Sequence, residues 1–268
     1  MPFTSGRGPR IYYELRGSAE APPLVMIRGL GRGLVHWGAV AGELEQSFRL
    51  VLLDNRGIGR SDGPRLPFGV PAMADDVARV LDAAGILRAH VFGMSLGGMI
   101  AQRLAIDHRP RVDRLVLGCT TPGGPEATRP RLTTFTELAS ARLTSPDAAI
   151  VAESRLLLSD AFRRARPDVV AEWVRIAEED PVPRRVLVQQ LSAALRHRAD
   201  RDLHRITAPT LIVSADHDEL VPPDNSRLLA RRIRGAEIAW LPGARHDFAT
   251  ERPRELATIL SSFLLGAR

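Results

Sequence analysis

Ten residues near the middle of the chain read Val91-Phe92-Gly93-Met94-Ser95-Leu96-Gly97-Gly98-Met99-Ile100. An apolar run ends at Gly93 and an apolar helical pattern begins just after Ser95, which predicts a strand, a very tight turn and a helix. A serine at such a corner has a strained backbone and an exposed hydroxyl, so glycines must flank it at positions 93 and 97. Gly-x-Ser-x-Gly in this context is the pattern of a nucleophile elbow, but it also occurs in ordinary turns. Ser95 is therefore a candidate nucleophile that needs partners elsewhere in the chain.

Short apolar runs alternate with helical patterns on both sides of this elbow. The predicted strands cover 11–15, 24–27, 50–53, 89–92, 112–117, 210–213 and 237–241. Helical spacing covers 35–44, 72–84, 225–233 and 254–265. Continuous apolar strands separated by helices are typical of an α/β fold with a mostly parallel sheet, covered on both faces.

The alternation stops between residues 123 and 204, where helical patterns follow one another over 133–143, 146–158, 167–179 and 183–198. The sequence thus predicts a core of residues 1–122 and 205–268 with an inserted helical cap, residues 123–204. Both ends of the cap join the carboxyl edge of the sheet, so the cap is expected to roof the site and to select the substrate. Apolar side chains predicted for this roof are Phe135, Leu138, Phe162, Trp173, Val174, Leu187 and Leu191.

Composition excludes several classes of protein. The chain has 268 residues, of which 44% are hydrophobic, enough for one large domain or a core with an insertion. No apolar run approaches the ~20 residues that span a bilayer, and the first ten residues are polar, so we expect a cytoplasmic protein without a membrane partner. The net charge is +6, but the 37 basic residues are spread among 31 acids without an aromatic stripe, which argues against a nucleic-acid partner. The single cysteine, Cys119, allows no internal disulfide and is expected to be a small buried residue.

A serine nucleophile needs a base, and His246 is the favoured candidate among seven histidines. It lies in a polar loop just after the last predicted strand, where side chains reach the carboxyl edge of the sheet. His217 is the competitor, because it lies in a loop at another strand end. The remaining histidines fall within or beside helices and strands, at positions His36, His90, His108, His197 and His204.

The orienting acid is expected after the strand 210–213, where Asp216, Asp218 and Glu219 follow one another. Asp218 is favoured because Leu220-Val221-Pro222 comes directly after it, and Asp216 is the alternative if the loop is shifted by two residues. The resulting order is Ser95, Asp218, His246, which is the order associated with this type of elbow.

With these residues in place, the chain resembles the α/β-hydrolase superfamily over nearly its whole length. The matching segments are Arg28-Gly29-Leu30-Gly31, Asp54-Asn55-Arg56-Gly57-Ile58-Gly59-Arg60-Ser61-Asp62, the elbow, Asp218 with Val221-Pro222, and His246 with Glu251-Arg252-Pro253. It is most similar to small serine esterases and lactonases, including the enol-lactonase and polyketide methylesterase groups. The resemblance implies a catalytic triad acting on a small-molecule ester or lactone, with no cofactor and no metal.

The resemblance also implies an oxyanion hole formed by the backbone N–H groups of Leu30 and Leu96. One departure from the family is Arg28, which precedes Gly29 where relatives carry histidine. Arg28 is expected either to be a salt-bridged structural residue or to bind an anionic substrate. Further substrate contacts are predicted for Met94 and Val221 beneath the cap and for Trp173 within it.

Three alternatives stay open. Carbon-carbon bond hydrolases, perhydrolases and acyltransferases of this superfamily share the triad, so the triad alone does not fix the acceptor. A binding protein can keep the fold without turnover. Gly29-Leu30-Gly31-Arg32-Gly33 also has some likeness to a dinucleotide-binding turn, but the third glycine is missing and that hypothesis leaves Ser95 and His246 unexplained.

Overall fold

The computed structural model describes residues 3–63, 66–134, 136 and 145–266. In this part of the chain, the strands form one sheet in the order β1-β3-β2-β4-β5-β6-β7. The strands are β1 (Tyr13–Arg16), β2 (Pro23–Ile27), β3 (Arg49–Leu53), β4 (Ala89–Met94), β5 (Val112–Gly118), β6 (Thr210–Ala215) and β7 (Glu237–Leu241). Only the pairing of β1 with β3 is antiparallel. The predicted mostly parallel sheet is confirmed, and the first strand begins two residues later than predicted.

The carboxyl ends of the central strands meet at one edge of the sheet. Strand β4 is buried along its whole length, and its Gly93 pairs with Ile27 of β2 and Leu117 of β5. Because parallel strands point the same way, the residues that follow β2, β4, β5 and β6 emerge together. This edge positions the candidate site.

Helices cover both faces of the sheet. Alternate strand residues point to opposite faces, so Val25 packs with one helical layer and Leu24 with the other. One layer contains α2 (Val70–Ala83) and α3 (Leu96–Asp107), and the other contains α1 (Gly38–Leu44) and α10 (Pro253–Leu265). The pattern predicted over 35–44 divides at Gly38, whose φ of +40° separates a 3-10 turn, Leu34–Trp37, from α1. Two further helices near the sheet are α8 (Asp224–Arg232) and α9 (Phe248–Glu251). Among the described residues, we find no helix with the length and apolar character of a membrane span.

The described part of the cap is helical. Its helices are α4 (Pro146–Leu157), α5 (Asp160–Ala165), α6 (Pro167–Glu179) and α7 (Arg184–Leu195). The sequence does not predict α5 as a separate element; Ser159 caps its N-terminus, because Ser159 Oγ accepts a hydrogen bond from Phe162 N at 3.2 Å. The predicted helix over 133–143, with Phe135 and Leu138, lies almost entirely outside the described residues. The two ends of the cap meet in a bridge between Gly123 and Arg198.

Candidate active site

Ser95 lies at a sharp corner between β4 and α3, as its flanking pattern predicts. Its backbone has φ 58° and ψ −122°, and apart from glycines it shares positive φ only with Cys119 among the described residues. The corner is held by Ser95 N donating to Gly118 O at 2.9 Å and by Thr120 Oγ1 donating to Ser95 O at 2.8 Å. Strain of this kind persists only where the surroundings fix it, and it directs the serine side chain away from the strand.

Close backbone contacts explain the glycines beside Ser95. A Cβ atom on Gly97 would lie 1.9 Å from Ile27 O, and one on Gly93 would lie 2.2 Å from Gly97 O. Both distances are far inside van der Waals contact, so α3 can approach β2 and β4 only with glycine at these two positions.

Asp218 and His246 meet at the edge of the sheet. His246 Nδ1 lies 2.7 Å from Asp218 Oδ2, and each residue is only 4% exposed. The other carboxylate oxygen, Asp218 Oδ1, accepts hydrogen bonds from Leu220 N at 2.9 Å and Val221 N at 2.8 Å. The carboxylate is therefore fixed on both oxygens, which orients the imidazole so that Nε2 is the nitrogen that does not face Asp218.

The structure brings Asp218, and not Asp216, to His246. Asp216 Oδ1 instead accepts a hydrogen bond from Gly243 N at 2.6 Å, which ties two loops together. The competing histidine, His217, is exposed. Burial by itself lowers the pKa of His246, but the adjacent Asp218 carboxylate and the Cys119 sulfur together outweigh burial and raise this pKa well above its ordinary value.

Cys119 is a neighbour of this pair that sequence reasoning treated only as a buried residue. Its Sγ lies 4.0 Å from His246 Nε2, whereas within the described residues the Ser95 hydroxyl makes no hydrogen bond. The hydrogen bond between a catalytic serine and its base is often long before substrate binds, so Ser95 is retained as the candidate partner of His246. Cys119 is 2% exposed and burial raises its thiol pKa, which disfavours the reactive thiolate.

The predicted oxyanion donors lie beside Ser95. A Cβ atom on Gly29 would lie 3.0 Å from Ser95 Cβ and 3.4 Å from Ser95 Oγ, so the Gly29–Leu30 peptide is next to the hydroxyl. Within the described residues, the Leu30 N–H donates no hydrogen bond. Leu96 is the first residue of α3, and the N–H of a first helical residue has no partner within the helix. Two N–H groups near one hydroxyl can stabilise a negative oxygen there.

Arg28 makes a buried ion pair with Asp247. Its Nη2 and Nη1 lie 2.8 Å and 3.2 Å from the two carboxylate oxygens, and its guanidinium lies 4.8 Å from the Trp37 ring centroid. Burial by itself raises the pKa of Asp247, but Arg28, together with Arg32 and His246, outweighs burial and lowers this pKa. Of the two expectations for Arg28, this contact favours the structural one. Asp247 adjoins His246, so the pair fixes the histidine loop against the first loop.

The other predicted substrate contacts differ in their surroundings. Met94 is 3% exposed, and its Sδ lies 3.4 Å from Arg28 Nη1. Trp173 is 4% exposed and stacks on Arg32, with 4.1 Å between the guanidinium carbon and the ring centroid. Val221 is partly buried, and its backbone holds Asp218. A cleft of about 700 Å³ lies between α6 and the loops after β2 and β3; Trp173 lines it, but Ser95 and His246 do not.

Cys119, Asp218 and His246 also offer metal-ligating atoms within 4.8 Å of one another. Both oxygens of Asp218 already accept hydrogen bonds, from His246 and from two backbone N–H groups. This arrangement suits the orientation of an imidazole better than the ligation of a metal ion.

Comparisons with known proteins identify the family and the fold. The family model described as alpha/beta hydrolase fold matches residues 22–252. A candidate carbamate hydrolase, RutD, from Caulobacter sp. (strain K31) is 32% identical over 98% of both chains. The enol-lactonase from Burkholderia xenovorans LB400 is 25% identical, with a TM-score of 0.87 over 98% of this chain and 100% of its own. Est816, described as an N-acyl homoserine lactone degrading enzyme, is 29% identical, with a TM-score of 0.79 over 98% and 100%. Matching over this length, in sequence and in structure, shows that the chain belongs to the alpha/beta hydrolase fold family and is a hydrolase of that fold.

Proposed function

We propose that this hydrolase cleaves a carboxylic ester or a lactone through an acyl-enzyme on Ser95. The observation that carries the proposal is the strained elbow of Ser95, φ 58°, at the same sheet edge as the 2.7 Å contact between His246 and Asp218. The names of two structural relatives, an enol-lactonase and a lactone-degrading enzyme, support the substrate class.

In the acylation step, Ser95 Oγ attacks the substrate carbonyl while His246 Nε2 takes the hydroxyl proton. Asp218 holds the imidazole in the required tautomer and stabilises the imidazolium that forms. The N–H groups of Leu30 and Leu96 donate to the developing oxyanion, and each such donor is typically worth about 10²–10³ in rate. The bond to the leaving oxygen then breaks and His246 returns the proton to it. In a lactone the leaving hydroxyl stays attached to the acyl chain.

In the deacylation step, water attacks the acyl carbon and His246 again takes the proton. The same two N–H groups stabilise the second tetrahedral intermediate. Its collapse breaks the bond to Ser95 Oγ, which regains its proton from His246 and releases the acid.

Labelling and turnover together test the proposal. A fluorophosphonate should add to Ser95 of the wild-type protein, as located by peptide mass spectrometry. A screen of short acyl esters, lactones and polyketide-like methyl esters should then reveal turnover that Ser95→Ala lacks. Unchanged turnover in a pure Ser95→Ala preparation would contradict the proposal.

The acid is tested by two aspartates in the same loop. Asp218→Asn should lower kcat on the order of 10⁴-fold, because an amide favours the wrong histidine tautomer. Asp216→Asn is the matched control, since its carboxylate binds Gly243 N rather than the histidine. The opposite ranking of the two variants would assign the role to Asp216.

A second candidate activity is carbamate hydrolysis, which the likeness to RutD favours at 32% identity over 98% of both chains. Phenyl acetate and phenyl carbamate share a leaving group, so the ratio of their kcat/KM values reports the acyl preference alone. A higher value for the carbamate would replace the ester and lactone assignment.

A further inference from the structure

The predicted oxyanion donor Leu30 lies inside a four-residue turn. Arg32 N donates to Gly29 O at 3.3 Å, which closes the turn Gly29-Leu30-Gly31-Arg32. Gly31 has φ +69°, a conformation that favours glycine. We call these four residues the oxyanion turn.

The core holds the first half of the oxyanion turn. Asn55 Nδ2 donates to Arg28 O at 3.0 Å, and Gly29 follows directly after this residue. This contact leaves Gly31 and Arg32, the second half of the turn, to be held by other parts of the chain.

Gln190 of cap helix α7 binds that second half. Its Oε1 accepts a hydrogen bond from Gly31 N at 2.9 Å, and its Nε2 donates to Arg56 O at 3.4 Å. The side chain is 0% exposed, so water does not compete for either contact. One amide of the cap thus joins the oxyanion turn to the loop after β3.

Two other cap helices reach Arg32. Trp173 of α6 lies 4.1 Å from its guanidinium carbon, and Glu153 Oε2 of α4 lies 3.9 Å from its Nη2. Arg32, Glu153 and Trp173 are 7%, 8% and 4% exposed, and a cation–π contact is stronger when water is excluded. Three cap helices therefore converge on two consecutive residues of the turn.

These contacts bear on catalysis because an oxyanion donor acts only when it is already in position. The Leu30 N–H is one peptide before Gly31 N, so a rotation of the Gly31 peptide would move it. A displacement of about 1 Å can cost on the order of 10² in rate.

We propose that the cap positions the oxyanion hole, with Gln190 as the main positioning residue. This inference rests on the proposed function and extends the cap beyond substrate selection. Gln190 does not touch the reacting atoms; it acts through Gly31 on the Leu30 N–H.

The test compares Gln190→Met with the matched control Gln189→Met, a neighbour on the same helix whose Oε1 has no hydrogen-bond partner within the described residues. With p-nitrophenyl acetate, Gln190→Met should lower kcat by at least about tenfold, while KM changes little. The decrease should be smaller than the roughly 10²–10³-fold decrease caused by deleting an oxyanion donor, because the Leu30 N–H is displaced and not lost. Gln189→Met should match wild type.

Inhibitor binding separates positioning from a general structural effect. A trifluoromethyl ketone forms a tetrahedral adduct with an oxyanion, whereas the matching methyl ketone binds mainly without one. In Gln190→Met, the inhibition constant should rise for the first compound by the factor lost in kcat/KM and stay unchanged for the second. Equal changes for both ketones, or none, would overturn the inference.

A replacement variant and a labelling control complete the test. If circular dichroism shows that Gln190→Met does not fold, Trp173→Leu provides the same comparison through Arg32. Fluorophosphonate labelling of wild-type Ser95 is measured alongside. Absent labelling there contradicts the proposed function, whereas wild-type labelling with unchanged variants contradicts only the role of the cap.

Discussion

At the residue scale, the candidate site contains two strained positions, Ser95 and Cys119, of which Cys119 contacts the His246 imidazole. Their φ angles of 58° and 37° follow the ends of β4 and β5, which are adjacent strands. Only Ser95 directly precedes a helix, α3, and lies beside two candidate oxyanion donors. These features favour the Ser95 hydroxyl as the nucleophile, even though the Cys119 thiol lies 4.0 Å from His246 Nε2.

This comparison predicts that Cys119→Ala retains most of the turnover of the best substrate, whereas Ser95→Ala loses it. The reason is that a buried thiol with a raised pKa stays protonated. Iodoacetamide should likewise leave native Cys119 unmodified by mass spectrometry. Loss of turnover in Cys119→Ala with an unchanged melting temperature would instead make the thiol part of the chemistry.

The raised pKa of His246 predicts the pH dependence. The base must be neutral to accept the Ser95 proton, and below its pKa the imidazole is protonated and inactive. Since this pKa is raised above its ordinary value of about 6.5, with Asp218 as the largest raising cause, kcat/KM should still be increasing at pH 6.5 and level off only at higher pH.

The pH profiles of the two aspartate variants provide the control. Asp218→Asn should have a lower residual rate than wild type. The inflection of its kcat/KM profile should also lie at lower pH, because the negative charge beside the imidazole is gone. In Asp216→Asn, it should stay at the wild-type position. A wild-type inflection below pH 6.5 would contradict the assigned electrostatics.

At the element scale, the Arg28–Asp247 pair connects the loop after β2 with the loop after β7. Asp247 N also donates to Leu157 O of α4 at 2.8 Å, so the same residue connects core and cap. The histidine loop is thus held from two sides by groups that lie far apart in sequence.

Removing one member of this pair should be costly. Arg28→Met leaves the Asp247 carboxylate buried without its partner, which should lower the free energy of unfolding by about 3–5 kcal/mol in urea titrations. The double variant Arg28→Met/Asp247→Leu should recover part of that loss, because it removes both buried charges of the pair. Arg175→Met, in an exposed ion pair, should leave the midpoint unchanged.

The alternative role of Arg28 makes a different prediction. If Arg28 binds an anionic substrate, folded Arg28→Met should raise KM for anionic esters and leave neutral ones unaffected. We expect equal effects on both classes, measured with a matched pair of esters that differ in one carboxylate.

At the scale of the whole molecule, the sequence predicts the strands and helices that have a local hydrophobic pattern. It does not predict contacts between side chains that are distant along the chain. Ser95, Asp218 and His246 could be predicted as a candidate site because each follows a recognisable strand at one edge of the sheet. Asp247 and Gln190 were missed because their partners, Arg28 and Gly31, lie 219 and 159 residues away. No periodicity within a cap helix indicates which of its polar residues reaches the core.

The arrangement of the cap yields a prediction about its removal. Gly123 pairs with Arg198 at the base of the cap, so a short Gly/Ser linker can replace residues 128–196 without stretching the chain. A cap that only selects substrates would leave turnover of a small activated ester intact after this change. Because Gln190, Trp173 and Glu153 hold the oxyanion turn, we expect kcat for p-nitrophenyl acetate to fall at least as far as in Gln190→Met.

Selectivity in the same protein separates the two roles of the cap. Discrimination between small and bulky esters should also collapse, because the cap is proposed to roof Ser95 and to select the substrate. Circular dichroism and a cooperative urea transition would first establish that the core remains folded. Wild-type kcat on the small ester in such a protein would show that the core alone positions Leu30, and unchanged selectivity would show that the substrate is chosen below the cap.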